Sequence, residues 1–143
     1  MKLLFHLDAG MWHGSATESL WVMEVGPGQY RLENSPFFAF DVSFQDVVLA
    51  KFVGGTLTFV QVLRRGGHST YRIIPRPGRS SEVRQYWAAL ERQGCSYEEG
   101  PKGLLAVDVP PEVNIFEAYA ALQAGEAGGA WSFEEGHCGH AVG

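Results

Sequence analysis

Two hydrophobic periods alternate through the second half of this chain, and their order narrows the possible folds more than any other feature. "STYRII" (Ser69 to Ile74) reads as a strand closed by Pro75 and Pro77. Val83, Tyr86, Trp87 and Leu90 then recur at the spacing that lays one apolar stripe along a helix, with Ser80 placed to cap it and Gly94 to stop it. "CSYEE" and "GLLAVDVP" follow as two strands around "GPKG". Asn114 caps a second helix, with Glu117 completing a box-like start, Ile115, Tyr119 and Leu122 as its stripe, and "GEAGG" as its end. "AWSFEE" supplies a last strand. The order β-α-β-β-α-β predicts a ferredoxin-like unit, two helices covering one face of a four-stranded sheet.

The first half has a different grain. "SLWVMEV" alternates, "GPG" (Gly26 to Gly28) turns it, and "QYRLE" answers. "DVVLAKFV" and "TLTFVQVL" flank Gly54-Gly55, a pair able to take the positive φ of a tight hairpin turn. Leu57, Phe59 and Gln61 are expected on one face of the second of these strands, and Thr58, Val60 and Val62 on the other. Both faces are largely apolar, which points to a small curled sheet or barrel. "NSPFFAF" (Asn34 to Phe40) is an aromatic-rich connection in which Pro36 argues against a central strand. The fold class expected is α+β, an antiparallel β module over 1–66 followed by a ferredoxin-like βαββαβ module over 67–143. With 143 residues and no convincing linker, the two are expected to pack as one body.

The opening "MKLLFHLDAG" is interrupted by His6 and Asp8, so it does not read as a signal peptide, and no apolar run reaches membrane-spanning length. A cytoplasmic protein is expected, with no membrane association and with Cys95 and Cys138 as thiols. The net charge of −5 is unevenly spread. Six arginines fall between Arg64 and Arg84 against Glu82 alone, while nine acids from Glu91 onward face only Arg92 and Lys102. Such a chain can steer a charged partner to either side; the plainer alternative is two solvated or mutually facing regions.

Three places carry candidate chemistry. His137, Cys138 and His140 are apt zinc ligands, but structural zinc sites draw ligands from two places in a chain, so His68 or Cys95 would have to complete the set. A Cys138–His140 nucleophile pair would need a lowered thiol pKa and an orienting third group. "RRGGHSTYR" (Arg64 to Arg72) suits an anion such as a phosphate: Gly66-Gly67 lets amides converge, and Arg65, His68, Ser69, Thr70 and Arg72 supply donors. Against this, a Gly-Gly joint between two modules is also what geometry alone would ask for. RNA binding of the kind seen in ferredoxin-like sheets needs aromatics on the third strand, and "KGLLAVDV" has none, so no nucleic-acid partner is expected.

Glu18-Ser19-Leu20-Trp21, Tyr30-Arg31-Leu32 with Asn34, Pro36-Phe37-Phe38-Ala39 and Asp46-Val47-Val48 are distinctive as a set. So are Gly67-His68-Ser69-Thr70-Tyr71-Arg72 and the closing Gly136-His137-Cys138-Gly139-His140. Together they resemble the bacterial domain-of-unknown-function family 4265 over most of the chain. The resemblance brings no reaction with it; it implies a small bacterial cytoplasmic protein, of a type that includes immunity proteins beside toxins. Its polar residues (Glu18, Asn34, Asp46, His68, Ser69, Thr70, Arg72) are expected either to form a pocket where the two modules meet or to fix that junction by hydrogen bonds. The function expected is non-enzymatic, an immunity protein whose acidic residues, with Glu98, Glu99, Glu134 and Glu135 as contacts, block a toxin domain encoded nearby, with no cofactor. The alternatives are a small anionic-ligand or regulatory domain and a metal- or Cys-dependent enzyme.

Overall fold

The computed structural model describes residues 1–142. It is an α+β fold in which an N-terminal antiparallel sheet leads into a region of mixed strands and helices. The first five strands are β1 (Lys2–His6), β2 (Thr17–Gly26), β3 (Gln29–Leu32), β4 (Val47–Val53) and β5 (Thr56–Arg64). Neighbours in sequence pair antiparallel, and β1 also meets β5 in parallel at one position, Leu4 opposite Thr58. That pairing closes the five strands on themselves. "KLLFH", which the sequence marks only as unlike a signal peptide, is therefore a strand.

Leu3, Phe5, Leu20, Val22, Leu32, Val48 and Leu57 fill the interior. At the hairpin Gly54 and Gly55 have φ of 57° and 83°, as a type I′ turn requires. The alternation expected along β5 breaks, and Gln61 does not share the core-facing side of Leu57 and Phe59. Ala50 pairs with Phe59 and Leu49 with Gln61, so Val60 is an extra, bulged residue. After it Val62 packs on the core, and Gln61 stays in water with its amide solvated.

From residue 69 the elements are β6 (Ser69–Pro75), α1 (Ser80–Gln93), β7 (Ser96–Glu99), β8 (Leu105–Val109), α2 (Ile115–Ala127) and β9 (Trp131–His137). The strands form a second antiparallel sheet in the order β7-β8-β6-β9. Tyr71, Ile73, Val107, Val109 and Trp131 meet Trp87 and Leu90 of α1 and Ile115, Ala118 and Leu122 of α2, so both helices cover one face. Trp131 lies so close to α2 that a Cβ at Gly125 would come within 2.1 Å of its ring, and its indole N–H donates to the Leu122 carbonyl at 2.9 Å.

Two local expectations change. Arg79 holds the N-cap position of α1 with no side-chain cap bond, so Ser80 is a helical residue and not the cap. On α2 the buried stripe is Ile115, Ala118, Leu122 and Gly125, turned so that Tyr119 is left 41% exposed. Asn114 does cap α2, accepting from the amides of Phe116 and Glu117.

Candidate functional site

On the sheet's other face, β6 turns Thr70 and Arg72 toward the N-terminal strands, and the distinctive polar residues meet them there. Arg72 is wholly buried. Its Nη1 donates to the Ala39 carbonyl at 2.9 Å, Nη2 to the Phe38 carbonyl at 3.0 Å, and Nε to Glu134 at 3.3 Å. The guanidinium also lies 4.7 Å from the Phe40 ring centre. Glu18, nearly as buried, accepts from the amides of Phe37, Phe38 and Ala39. The segment Phe37 to Ala39 is thus clamped, its N–H groups on a carboxylate and its C=O groups on a guanidinium. Such a segment has no strand partner and would otherwise bury unpaired backbone. Burial pushes the Arg72 pKa below its ordinary value, opposed by Glu134 and Glu18.

A second knot lies beside it. Asp46 is fully buried and accepts from the Ser43 amide at 2.9 Å, the Gly66 amide at 2.8 Å and Arg65 Nη1 at 3.0 Å. The Ser43 hydroxyl bonds Thr70 Oγ1 at 2.6 Å and His137 Nδ1 at 2.9 Å. His137 reaches this face because β9 is bulged. Thr70 pairs with His137 and Tyr71 with Glu135, leaving Gly136 as the extra residue. A Cβ at Gly136 would lie 2.2 Å from Arg72 Nη1, so the guanidinium occupies the space a side chain would need. Burial lowers the pKa of His137 from its ordinary 6.5, and Arg65 lowers it further, against Asp46, Asp41 and Glu135.

The remaining residues of the two strings pair with each other or with β8. His68 Nδ1 meets Asp108 Oδ1 at 2.8 Å; burial raises the Asp108 pKa above 3.8, with His68 opposing. The Gly139 amide donates to Ser69 Oγ at 2.9 Å, and Ser69 Oγ meets His140 Nδ1 at 2.6 Å. His140 Nε2 bonds the Pro110 carbonyl at 2.9 Å, which places its proton on Nε2 and leaves Nδ1 as the acceptor.

The terminal His-Cys cluster therefore diverges. His137 joins the knot between the sheets, His140 lies against Pro110, and the Cys138 thiol is 3.6 Å from the carbonyl oxygen of His140, whose ring is engaged elsewhere. No group of three His, Cys, Asp or Glu is placed to hold a metal ion among the described residues. Burial, with Asp108 nearby, pushes the Cys95 thiol up to about 11. Arg65, His68, Ser69, Thr70 and Arg72, read in the sequence as an anion site, are spread along this junction on five different sets of partners.

The four glutamates read as contacts are divided. Glu98 accepts from Asn34 Nδ2 and the Ser35 amide, and Glu134 from Arg72 and the Trp12 indole, all between the two sheets. Glu99 and Glu135 lie toward the helices on opposite edge strands, with two strands between them.

Sequence reasoning passed over two surfaces. Around α2, Phe116 is 64% exposed, and a groove of about 380 Å3 runs between Tyr71, Phe116, Tyr119, Glu135 and Cys138. Beside β6, on the opposite face of the sheet, Trp12, Phe38 and Lys102 line a cleft of about 420 Å3. The exposure of Phe116 was legible, since it falls outside the apolar stripe; the cleft joins residues remote in sequence and was not.

A family model described as "Domain of unknown function (DUF4265)" matches residues 18–133. No curated protein matches this chain. Among solved structures, the chain is similar to one titled "Novel crystal structure of a hypothetical protein from Neisseria gonorrhoeae". The two share 21% identity over 98% of this chain and 96% of that one, with a TM-score of 0.80, a likeness of fold.

Proposed function

The chain belongs to the DUF4265 family, and on that footing we propose that it is a non-enzymatic protein-binding module that docks a basic partner element on the α2 side. The observation that carries this reading is an uncovered apolar helix face set in an acidic surround. Phe116, Tyr119, Ala120 and Gln123 follow one another at helical spacing along the exposed side of α2 and border its groove. Glu112, Glu117, Glu126 and Glu135 lie beside or on α2 or on its side of the sheet, and from residue 103 to the end the chain has neither lysine nor arginine. An apolar face of that kind fits an amphipathic helix with basic flanks, and the charge would chiefly raise the association rate and exclude acidic competitors.

A toxin domain encoded nearby, whose own substrate cleft is basic, is the partner we favour, which would make the chain a cytoplasmic immunity protein. Of the four glutamates first considered, Glu135 stays in the proposed contact surface, and Glu98 and Glu134 belong to the seam between the sheets. Further support is that the groups an enzyme would use, Cys138, His137 and His140, are engaged in structural hydrogen bonds. The finer fold reading rests on the same footing: the strand order with both helices on one face supports a ferredoxin-like βαββαβ unit, and the β1–β5 pairing supports a small barrel.

Co-purification with the product of a neighbouring gene tests the proposal. A complex is expected that weakens as salt rises and is lost in Phe116→Ser, a surface change that leaves the fold intact. A folded wild type that captures no neighbour at low or high salt would sink it, as would a complex indifferent to Phe116.

A further inference from the structure

The cleft beside β6 lies on the opposite face of the sheet from α2 and answers to different chemistry. Its walls are aromatic and aliphatic: Trp12, His13 and Phe38 on one side, Ile74 and Leu104 on the other, with Lys102 at the rim of a volume of about 420 Å3. The aromatic wall is held in place although it sits outside the strands. The Trp12 ring meets Phe38 edge-on at 6.0 Å, and His13 lies 4.8 Å from Phe38 at 36°. The Trp12 indole N–H donates to Glu134 Oε2 at 3.1 Å, and the other oxygen of that carboxylate accepts from the buried Arg72. Trp12 is nevertheless 49% exposed, so a large flat ring is anchored at its polar edge and left open on its apolar surface.

Two cationic or donor groups stand at the same cleft. Lys102 has φ of 57° and ψ of 29°, a left-handed backbone that glycine adopts freely and lysine does at a cost. The turn itself makes no demand for a lysine, so what the side chain adds there is a positive charge at the edge of an apolar hollow. His13 Nδ1 accepts from the Ser15 amide at 2.9 Å, which puts the ring's proton on Nε2 and leaves it a donor. Flat apolar walls with one cation and one neutral donor, in a volume within the range of small-molecule sites, define a ligand class.

We propose that this cleft binds a planar aromatic molecule carrying one acidic group, its ring against Trp12 and Phe38 and its anion on Lys102 and His13.

2-Naphthoate is the probe, with 2-naphthol as a neutral counterpart of the same shape, titrated by calorimetry and by the Trp12 indole N–H resonance. Saturable binding of naphthoate at one site per chain is expected, about tenfold tighter than naphthol. Trp12→Ala should lose both ligands. Lys102→Gly should bring naphthoate down to the affinity of naphthol with no fall in Tm, because glycine suits the turn better; a merely structural lysine would give the reverse. The inference is overturned by a folded wild type with no saturable naphthoate binding, by equal affinity for the two probes, or by binding that survives Trp12→Ala.

Discussion

Gly136 and Arg72 show how one residue's backbone and another's charge become a single structural unit. The bulge at Gly136 brings His137 to the seam, and the absence of a Cβ leaves room for the guanidinium. Gly136→Ala should therefore cost about 1–3 kcal/mol through forced displacement of Arg72. Arg72→Lys should cost about 3–5 kcal/mol, since one ammonium cannot reach two carbonyls and a carboxylate held in a planar fork and leaves buried acceptors unpaired. Urea midpoints of the two variants and of the double mutant check both, and the double mutant should fall short of the sum because the residues share one contact. His137 adds a pH dependence. Its folded pKa lies below 6.5, so the unfolded chain takes up the proton first. Stability is whole above that value, declines as pH falls from 6.5 toward the folded pKa, and then levels. Asp108, raised by burial, works the other way at lower pH: its penalty is relieved as pH falls through its folded pKa toward 3.8. In His137→Asn the decline below pH 6.5 should be shallower in a pH series of urea melts; an unchanged slope would refute the assignment.

The two helices start in physically different ways, and the difference can be measured at the scale of the element. Asn114 takes two orphan amides of α2, whereas Ser80 takes none at the start of α1. Asn114→Ala should lower stability by about 1 kcal/mol, and Ser80→Ala should stay within about 0.5 kcal/mol. Thermal unfolding of the pair decides the matter. Periodicity located α1 and α2 because each buries one stripe, but it put Tyr119 on the buried side of α2. Trp131 packs over Gly125 on the buried side of α2, while Tyr119 lies edge-on to Tyr71 and Phe133 and is left part-exposed. Along β5, likewise, strict alternation put Gln61 on the face of Leu57 and Phe59 because no sequence period announces a bulge. Regular elements were legible; their irregular residues, set by a neighbour's bulk or an amide's solvation, were not.

At the scale of the molecule, the two sheets are joined through polar groups rather than through a greasy interface. Buried Arg72 reaches the Phe38 and Ala39 carbonyls, the Ser43 hydroxyl bonds Thr70 and His137, and Glu98 accepts from Asn34 and the Ser35 amide, each bond crossing from one sheet's module to the other. Separation would leave the Arg72 guanidinium without its two carbonyls and the Glu98 carboxylate without its two donors, so unfolding should be a single transition by fluorescence and circular dichroism alike. A fragment covering 67–143 should lack a cooperative melt; a folded fragment would show the seam to be dispensable.

By itself the amino-acid sequence determined the order of strands and helices after β1, the Gly54-Gly55 hairpin, the cap at Asn114 and the family, because each depends on residues close in the chain or on whole strings. It also marked Glu18, Asp46, His68 to Arg72 and His137 to His140 as a polar set with a shared task. Only tertiary structure decided what that task is. A buried hydrogen bond is a relation between distant residues, and the same arginine reads as an anion site or as a clamp until its acceptors are placed. Here they are the carbonyls of Phe38 and Ala39, more than thirty residues away.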